Sequence, residues 1–408
     1  MTDLSTRPAP AADWGDLVVP PHDPTRARIA RALFHHAVRR LPVRVVFPGG
    51  RRIGAGGPDS PVMRVHRPDA FFHRLGVDAK IGFGEAYMVG DWTSTRLPEL
   101  LAAFAARMAA LVPAPLQVFR RLVDRRQPTG EENTLTGSRN NIHRHYDLSN
   151  ELFELFLDET MTYSSAWFEP GSTDLVAGQH RKLDGVLDYA GVTAGTRLLE
   201  IGTGWGSLAI RAAQRGARVT SLTISAEQKD LAERRVADAG LSDRVEVLLR
   251  DYREARGEYD AVVSVEMIEA VGERYWPTYF RAVDRLLRPG GRFGLQSITI
   301  ADDRLRATRG GYTWIHKYVF PGGIIPSPEG IDRALAGTTL RVRGFRDFGL
   351  DYAETLRQWR ETFLARWPRI AELGFDETFR RMWEFYLAYC QAGFGTGYLG
   401  VRQLAIGR

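Results

Sequence analysis

Along residues 196–300 short apolar runs alternate with longer stretches in which apolar positions recur at helical spacing. RLLEI, ARVTSLTI, RVEVLL, YDAVVSV and GRFGLQSITI read as strands, and SLAIRAAQR, AEQKDLAERRVADAG and ERYWPTYFRAVDRLLRPGG read as helices. Strands alternating with helices predict an α/β domain with a parallel, doubly wound sheet. Two later strand candidates, LRVRGFRDF and GYLGVRQLAIG, flank a long aromatic-rich helical insertion and are expected to add an edge hairpin to that sheet. Upstream, RARIARALFHHAVRRLPVRVVF (26–47) reads as a basic amphipathic helix, apolar through Ile29, Leu33 and Val38, followed by a short strand; LPELLAAFAARMAALV (97–112) reads as another helix.

Between Arg120 and Asn141 the hydrophobic period is lost and charge, Pro and Gly accumulate, which is linker chemistry. The expected division is a flexible, cytoplasmic tail over 1–25, a smaller N-terminal α+β domain with its linker over 26–137, and a larger domain over 138–408. A hydrophobic content of 44% with 25% charged residues excludes a disordered or fibrous chain. The 97–112 stretch is broken by Glu99 and Arg107 and is shorter than the roughly 20 residues that cross a bilayer. A single cysteine, Cys390, excludes an intrachain disulfide framework and a Cys-based zinc cluster, and no metal site is expected. The net charge of +6 favours an anionic partner, nucleic acid or an acidic lipid surface, only weakly.

The candidate chemistry begins at LLEIGTGWG (198–206). Glycines after a strand let the backbone turn tightly and approach a ligand, with a helix N-terminus behind them. No Gly-Lys-Ser/Thr follows, so this is not a phosphate loop. A dinucleotide fold needs an acid closing the second strand, where this chain has Leu222-Thr223-Ile224-Ser225. Glu200 with Gly202, Gly204 and Gly206, followed by Asp251 and Tyr252 after the third strand run, instead resembles the S-adenosylmethionine site of class I methyltransferases, whose fold is Rossmann-like with a mainly parallel seven-stranded sheet. That resemblance gives Glu200 and the glycines to the methionine part, Asp251 to the adenine amino group and Tyr252 to the ring.

Further motifs narrow it. NNIHRHYDLSNELFELFLDETMTYSSAWF, LTISAEQ, DYRE, SVEMIEAVG, TWIHKYVFPGGIIPS and FYLAYCQAGF resemble the cyclopropane fatty acid synthase family from about residue 40 to 408, in order, with RVHRPDAFF and GFGEAYMVGDW in the first domain. SVEMIEAVG, ERYWPTYF and Gln296 resemble most the actinobacterial branch that methylates oleoyl chains toward tuberculostearic acid. The resemblance implies that Tyr163 and Ser164 contact the cofactor carboxylate, that Thr223 and Gln228 take its ribose, and that His145 and Tyr146 order a lid.

An isolated alkene is a poor nucleophile, so it must be held against the sulfonium methyl in a dry channel, where proximity contributes on the order of 7 to 11 kcal/mol. Stabilising the resulting carbocation calls for π faces, and Trp167, Phe168, Trp314, Tyr318, Phe320, Trp383, Phe385 and Tyr386 are candidates, although such residues also serve as plain core. A base must then remove a proton. In the family it is bicarbonate, held by a Cys, a Glu, a His, an Ile amide and a Tyr; these positions fall here on Ser165, Glu269, Gln296, Ile298 and Tyr386. Ser165 and Gln296 lack the family side chains, which puts bicarbonate in doubt. Glu266, where cyclopropane synthases usually have a small residue, adds a carboxylate three positions from Glu269, on the same side if the stretch is helical. Paired carboxylates raise one pKa and make an intrinsic base, unless Glu266 merely caps or salt-bridges a helix.

The expectation is a membrane-peripheral, cytoplasmic enzyme that methylates the cis double bond of a phospholipid oleoyl chain to a 10-methylene chain, with a cyclopropane product or a non-catalytic lipid-binding homologue as alternatives. An anionic membrane surface is expected to meet Arg26, Arg28, Arg31, Arg39 and Arg40; a solvated helix face is the bland alternative. A reductase acting on the methylene product and a homo-oligomer are further expected partners, and nucleic acid is not.

Overall fold

The computed structural model describes residues 14–106 and 149–408, which form two compact units interleaved along the chain. One gathers residues 14–106, 310–319 and 356–398; the other gathers 149–309, 320–355 and 399–408. This differs from consecutive domains meeting near 138, a position outside the described residues. The reason is apolar packing: Phe385, on the helix Glu377–Gly395, sits 4.7 Å from the ring of Trp314 and 5.5 Å from that of Tyr87, with Phe83 and Trp92 also in ring contact. The aromatic insertion therefore completes the core of the first unit.

That unit carries strands β1 (Arg44–Val46), β2 (Arg52–Ile53), β3 (Val62–Val65) and β4 (Trp92–Thr93) in the order β2-β1-β3-β4, with only the β1/β3 pair parallel among them. The basic helix is Pro24–Val38, started by Asp23, whose side chain accepts the Arg26 N–H, and by a proline in its first turn. Its buried line runs through Ala27, Phe34 and Val38, whereas Ile29 and Leu33 are exposed. Arg31 is drawn off the basic face, pairing with Asp69 at 2.8 Å and lying over the Phe72 ring. The 97–112 helix is described as Leu97–Ala105.

The second unit is a seven-stranded sheet built from β5 (Arg197–Ile201), β6 (Arg218–Thr223), β7 (Val245–Leu249), β8 (Tyr259–Val265), β9 (Leu287–Ile300), β10 (Arg341–Asp347) and β11 (Leu399–Gly407), ordered β10-β11-β9-β8-β5-β6-β7. The five strands from β9 to β7 are parallel, and β11 and β10 add antiparallel pairs, as the hairpin reading expects. Leu198, Val219, Val247, Ala261 and Val263 meet Leu183, Val186 and Leu187 of the helix Leu175–Tyr189 and the alanines of Ser207–Gln214 in one buried cluster. Continuous apolar runs at the sheet centre follow from cover on both faces. Ligands of open α/β sheets bind beyond the C-terminal strand ends, where β5, β6, β7 and β8 all terminate.

Candidate functional site

At the end of β5 the backbone passes through Gly202, Gly204 and Gly206 at φ of 99°, 53° and 88°, a left-handed path that side chains disfavour. Gly202 and Thr203 both donate to the Leu222 carbonyl, pinning the turn to β6, and a Cβ on Gly204 would meet only open space. Gly204 thus presents bare backbone to whatever lies above it. Glu200 is 1% exposed; burial pushes its carboxyl up to about 8, opposed by the Ser221 hydroxyl, which donates to it at 2.5 Å. A cation such as an amino group is its complement.

The next two strands supply the other expected contacts. Thr223 donates to Gln228 Oε1 at 3.0 Å, and both are buried. Asp251 closes the turn after β7, where Arg253 engages both its oxygens: the backbone N–H and Nε reach Oδ1, and the terminal guanidinium nitrogen reaches Oδ2 at 2.7 Å. A carboxylate has about four lone-pair sites, so one remains for an amino group. Tyr252 is buried and edge-on to Tyr279. These observations fit S-adenosylmethionine: a carboxyl awaiting a cation, exposed glycine backbone, and acceptors on successive strand ends.

The segment 160–168 is fastened from beneath by the helix Leu175–Tyr189. Gln179 Nε2 donates to the carbonyls of Thr162 and Ser164, and Lys182 Nζ donates to Ser164 Oγ at 2.5 Å. Tyr163 stands edge-on to Phe153. Ser165 is fully buried; its hydroxyl is spent on the Ala166 carbonyl, while its N–H donates to Glu266 Oε1 at 3.0 Å.

Glu266 and Glu269 do not share a helix face, contrary to the spacing argument. Glu266 follows the end of β8 at φ 48°, a left-handed position costly for a side-chain-bearing residue, and a 3-10 turn at Ile268–Ala270 comes next. The two carboxyls nevertheless feel each other. Glu269 is pushed up to about 8 by burial first and by the charge of Glu266 second, against the amides of Glu269 and Ile298 and the Ser297 hydroxyl. Glu266 is also raised by burial, but Lys182, Gln296, the Ser165 amide and Tyr352 all pull it back down. Gln296 Nε2 donates to Glu266 Oε1 at 2.8 Å, and Ile298 N–H donates to Glu269 Oε1 at 2.5 Å. Glu266 thus gathers Ser165 and Gln296, and Glu269 gathers Ile298.

Other expectations are redistributed. Tyr386 is buried on the helix Glu377–Gly395 of the first unit, edge-on to Trp383 at 5.0 Å. Of the candidate aromatics, Trp314 and Phe385 are core of that unit, and Phe320 is 36% exposed. Trp167 already engages two cations, because Arg181 and Arg346 lie 3.9 Å and 4.4 Å from its ring centroid. His145 and Tyr146 lie outside the described residues. Gln179, Lys182, Tyr352 and Gln403 were missed. The signal was polar residues continuing an apolar stripe: Gln179 and Lys182 share a face with Leu183 and Val186, all buried.

With this geometry in place, comparison with known proteins is informative. The model of the mycolic acid cyclopropane synthetase family matches residues 133–404. The tuberculostearic acid methyltransferase of Mycobacterium tuberculosis is 48% identical over 415 residues, covering 98% of this chain and 97% of that protein. The cyclopropane-fatty-acyl-phospholipid synthase of Escherichia coli K12 is 35% identical over 347 residues, 84% and 86% of the two chains. A crystal structure of a mycolic acid cyclopropane synthase complexed with SAH and CTAB superposes with a TM-score of 0.62 at 29% identity, covering 69% of this chain and 99% of that one.

Proposed function

The chain belongs to the mycolic acid cyclopropane synthetase family and is an S-adenosylmethionine-dependent methyltransferase; from that premise we propose that it methylates the cis double bond of a phospholipid oleoyl chain and leaves a 10-methylene chain. The observation that carries the methylene product is 48% identity, over nearly the full length, with a tuberculostearic acid methyltransferase, together with Glu266 in contact with Ser165 and Gln296 at the family's anion-site positions. Bound S-adenosylmethionine supplies an electrophilic methyl group on a sulfonium. Tyr163, Ser164, Glu200, Gly202, Gly204, Gly206, Thr223, Gln228, Asp251 and Tyr252 would hold it.

The alkene π electrons form the new carbon–carbon bond, and the carbon–sulfur pair stays with sulfur. The acyl chain is left as a carbocation, and a hydride shift moves the charge to the carbon bearing the new methyl. Loss of a methyl proton then gives the methylene, whereas loss before the shift closes a cyclopropane. We read Glu266 as the acceptor of that proton, because its carboxylate occupies the Ser165 amide and the Gln296 amide that would otherwise bind an external anion such as bicarbonate. Glu269 and Ile298 complete the site in this reading.

The substrate lies in a bilayer, and among the described residues no helix is long and apolar enough to cross one. Docking is proposed through the helix Pro24–Val38, where exposed Arg28, Arg39 and Arg40 flank Ile29 at 57% and Leu33 at 37% exposure, with Val18 and Val19 also exposed. A reductase would complete the saturated product. Gas chromatography of lipids from a heterologous host expressing the chain tests the assignment: a methylene ester is expected, a cyclopropane ester alone overturns the product, and unaltered oleate overturns the reaction.

A further inference from the structure

Beneath the two carboxyls a closed ring of buried polar groups has a fixed direction. The carbonyl of Lys182 can only accept, and Gln403 Nε2 donates to it at 2.9 Å. The same Nε2 donates to Gln296 Oε1 at 2.9 Å, so the Gln296 amide must turn its nitrogen toward Glu266. Turning Gln403 over would set its oxygen against two other oxygens. Gly185 leaves room for that oxygen, since a Cβ there would come within 2.8 Å of it. The ring closes through Ser165, whose N–H also reaches Glu266, and Ser164, whose hydroxyl takes the Lys182 ammonium. Lys182, Gln296 and Gln403 are each 0% exposed, so no water competes for these groups.

We infer that Lys182 and Gln403 are positioning residues which make Glu266 the ionised member of the Glu266/Glu269 pair and leave the shared proton on Glu269. The asymmetry is geometric. Glu266 Oε1 takes the directed donors of the Ser165 amide and Gln296, with the charge of Lys182 nearby, whereas Glu269 Oε1 takes the Ile298 N–H and Ser297, and its Oε2 is buried without a partner among the described residues. The titratable groups facing Lys182 are Glu266 and Asp158; those facing Glu266 are Lys182, Glu269 and Tyr352. Two coupled carboxyls release their protons in sequence, and the ring decides which goes first. The inference rests on Glu266 being the proton acceptor only for its kinetic consequence.

The test uses the full chain. In Q403L, S-adenosylmethionine affinity by calorimetry should stay within about twofold while kcat on oleoyl phospholipid vesicles falls roughly tenfold or more, and the acid limb of the kcat profile moves to higher pH. K182M should move the same limb further. A well-folded Q403L with an unshifted limb overturns the inference. Because both variants can misfold, a second readout uses isosteric changes: in infrared difference spectra against wild type near neutral pH, E269Q should lose one protonated-carboxyl component beside the one Glu200 retains, and E266Q should lose none. The reverse pattern overturns the inference without any turnover, and so separates its failure from failure of the proposed reaction, which would appear as absence of methylated product in the wild type.

Discussion

Ile298 and Glu269 are joined by a backbone-to-carboxylate hydrogen bond of 2.5 Å that ties the C-terminal end of β9 to the 3-10 turn after β8. Burial holds this carboxyl near 8, whereas the unfolded chain titrates it near 4.5. The folded state then binds more protons across that window, and stability from this group falls as pH rises from about 4.5 to 8. E269Q removes the liability. Its melting temperature relative to wild type should be higher at pH 8 than at pH 5, by on the order of 2 °C. An equal offset at both values would refute the assignment.

If Glu266 takes the proton, E266Q should lower kcat by about 100-fold while leaving S-adenosylmethionine affinity within about twofold. E266G frees the left-handed backbone and vacates the Ser165 and Gln296 donors. Activity of E266G, measured by transfer of labelled methyl, should recover in part on adding bicarbonate, and wild type should not respond. A bicarbonate requirement in wild type would place the base outside the chain.

Trp167 packs against two guanidiniums and beside Phe348, within the second unit. W167A should therefore cost roughly 1–3 kcal/mol of stability in chemical denaturation, with kcat within about threefold of wild type. A selective loss of kcat without loss of stability would restore it as a carbocation stabiliser.

The docking face predicts a salt-sensitive defect. Each arginine near an anionic surface contributes about 1 kcal/mol, so reversing Arg28, Arg39 and Arg40 to Glu should weaken co-sedimentation with anionic vesicles by well over tenfold at low salt. Binding to neutral vesicles should hardly change. Unaltered co-sedimentation would move the docking surface elsewhere.

What the chain made readable follows from how local each feature is. RLLEI and YDAVVSV are short apolar runs whose burial on both faces leaves no other reading, and the glycine turn after β5 is written in consecutive residues. The anion-site positions could be located by motif, but not their conformation: a left-handed Glu266 arises from the Ser165 and Gln296 donors, 101 and 30 positions away. Lys182 and Gln403 meet across 221 positions, so neither announces the other. Arg26 and Arg31 have a basic residue's composition, yet ion pairs to Asp23 and Asp69 employ them within the unit.

The interleaving of the two units bears on how this protein can be divided. The chain passes from one unit to the other and back, so a cut near 138 would strip Phe385 and Trp314 of Phe83, Tyr87 and Trp92 and leave an aromatic helix face with nothing to cover it. A gene fragment starting there would inherit a sticky surface along with the cofactor fold. Recombination that exchanges the first unit of this chain for another must therefore refit the two internal segments that complete its core.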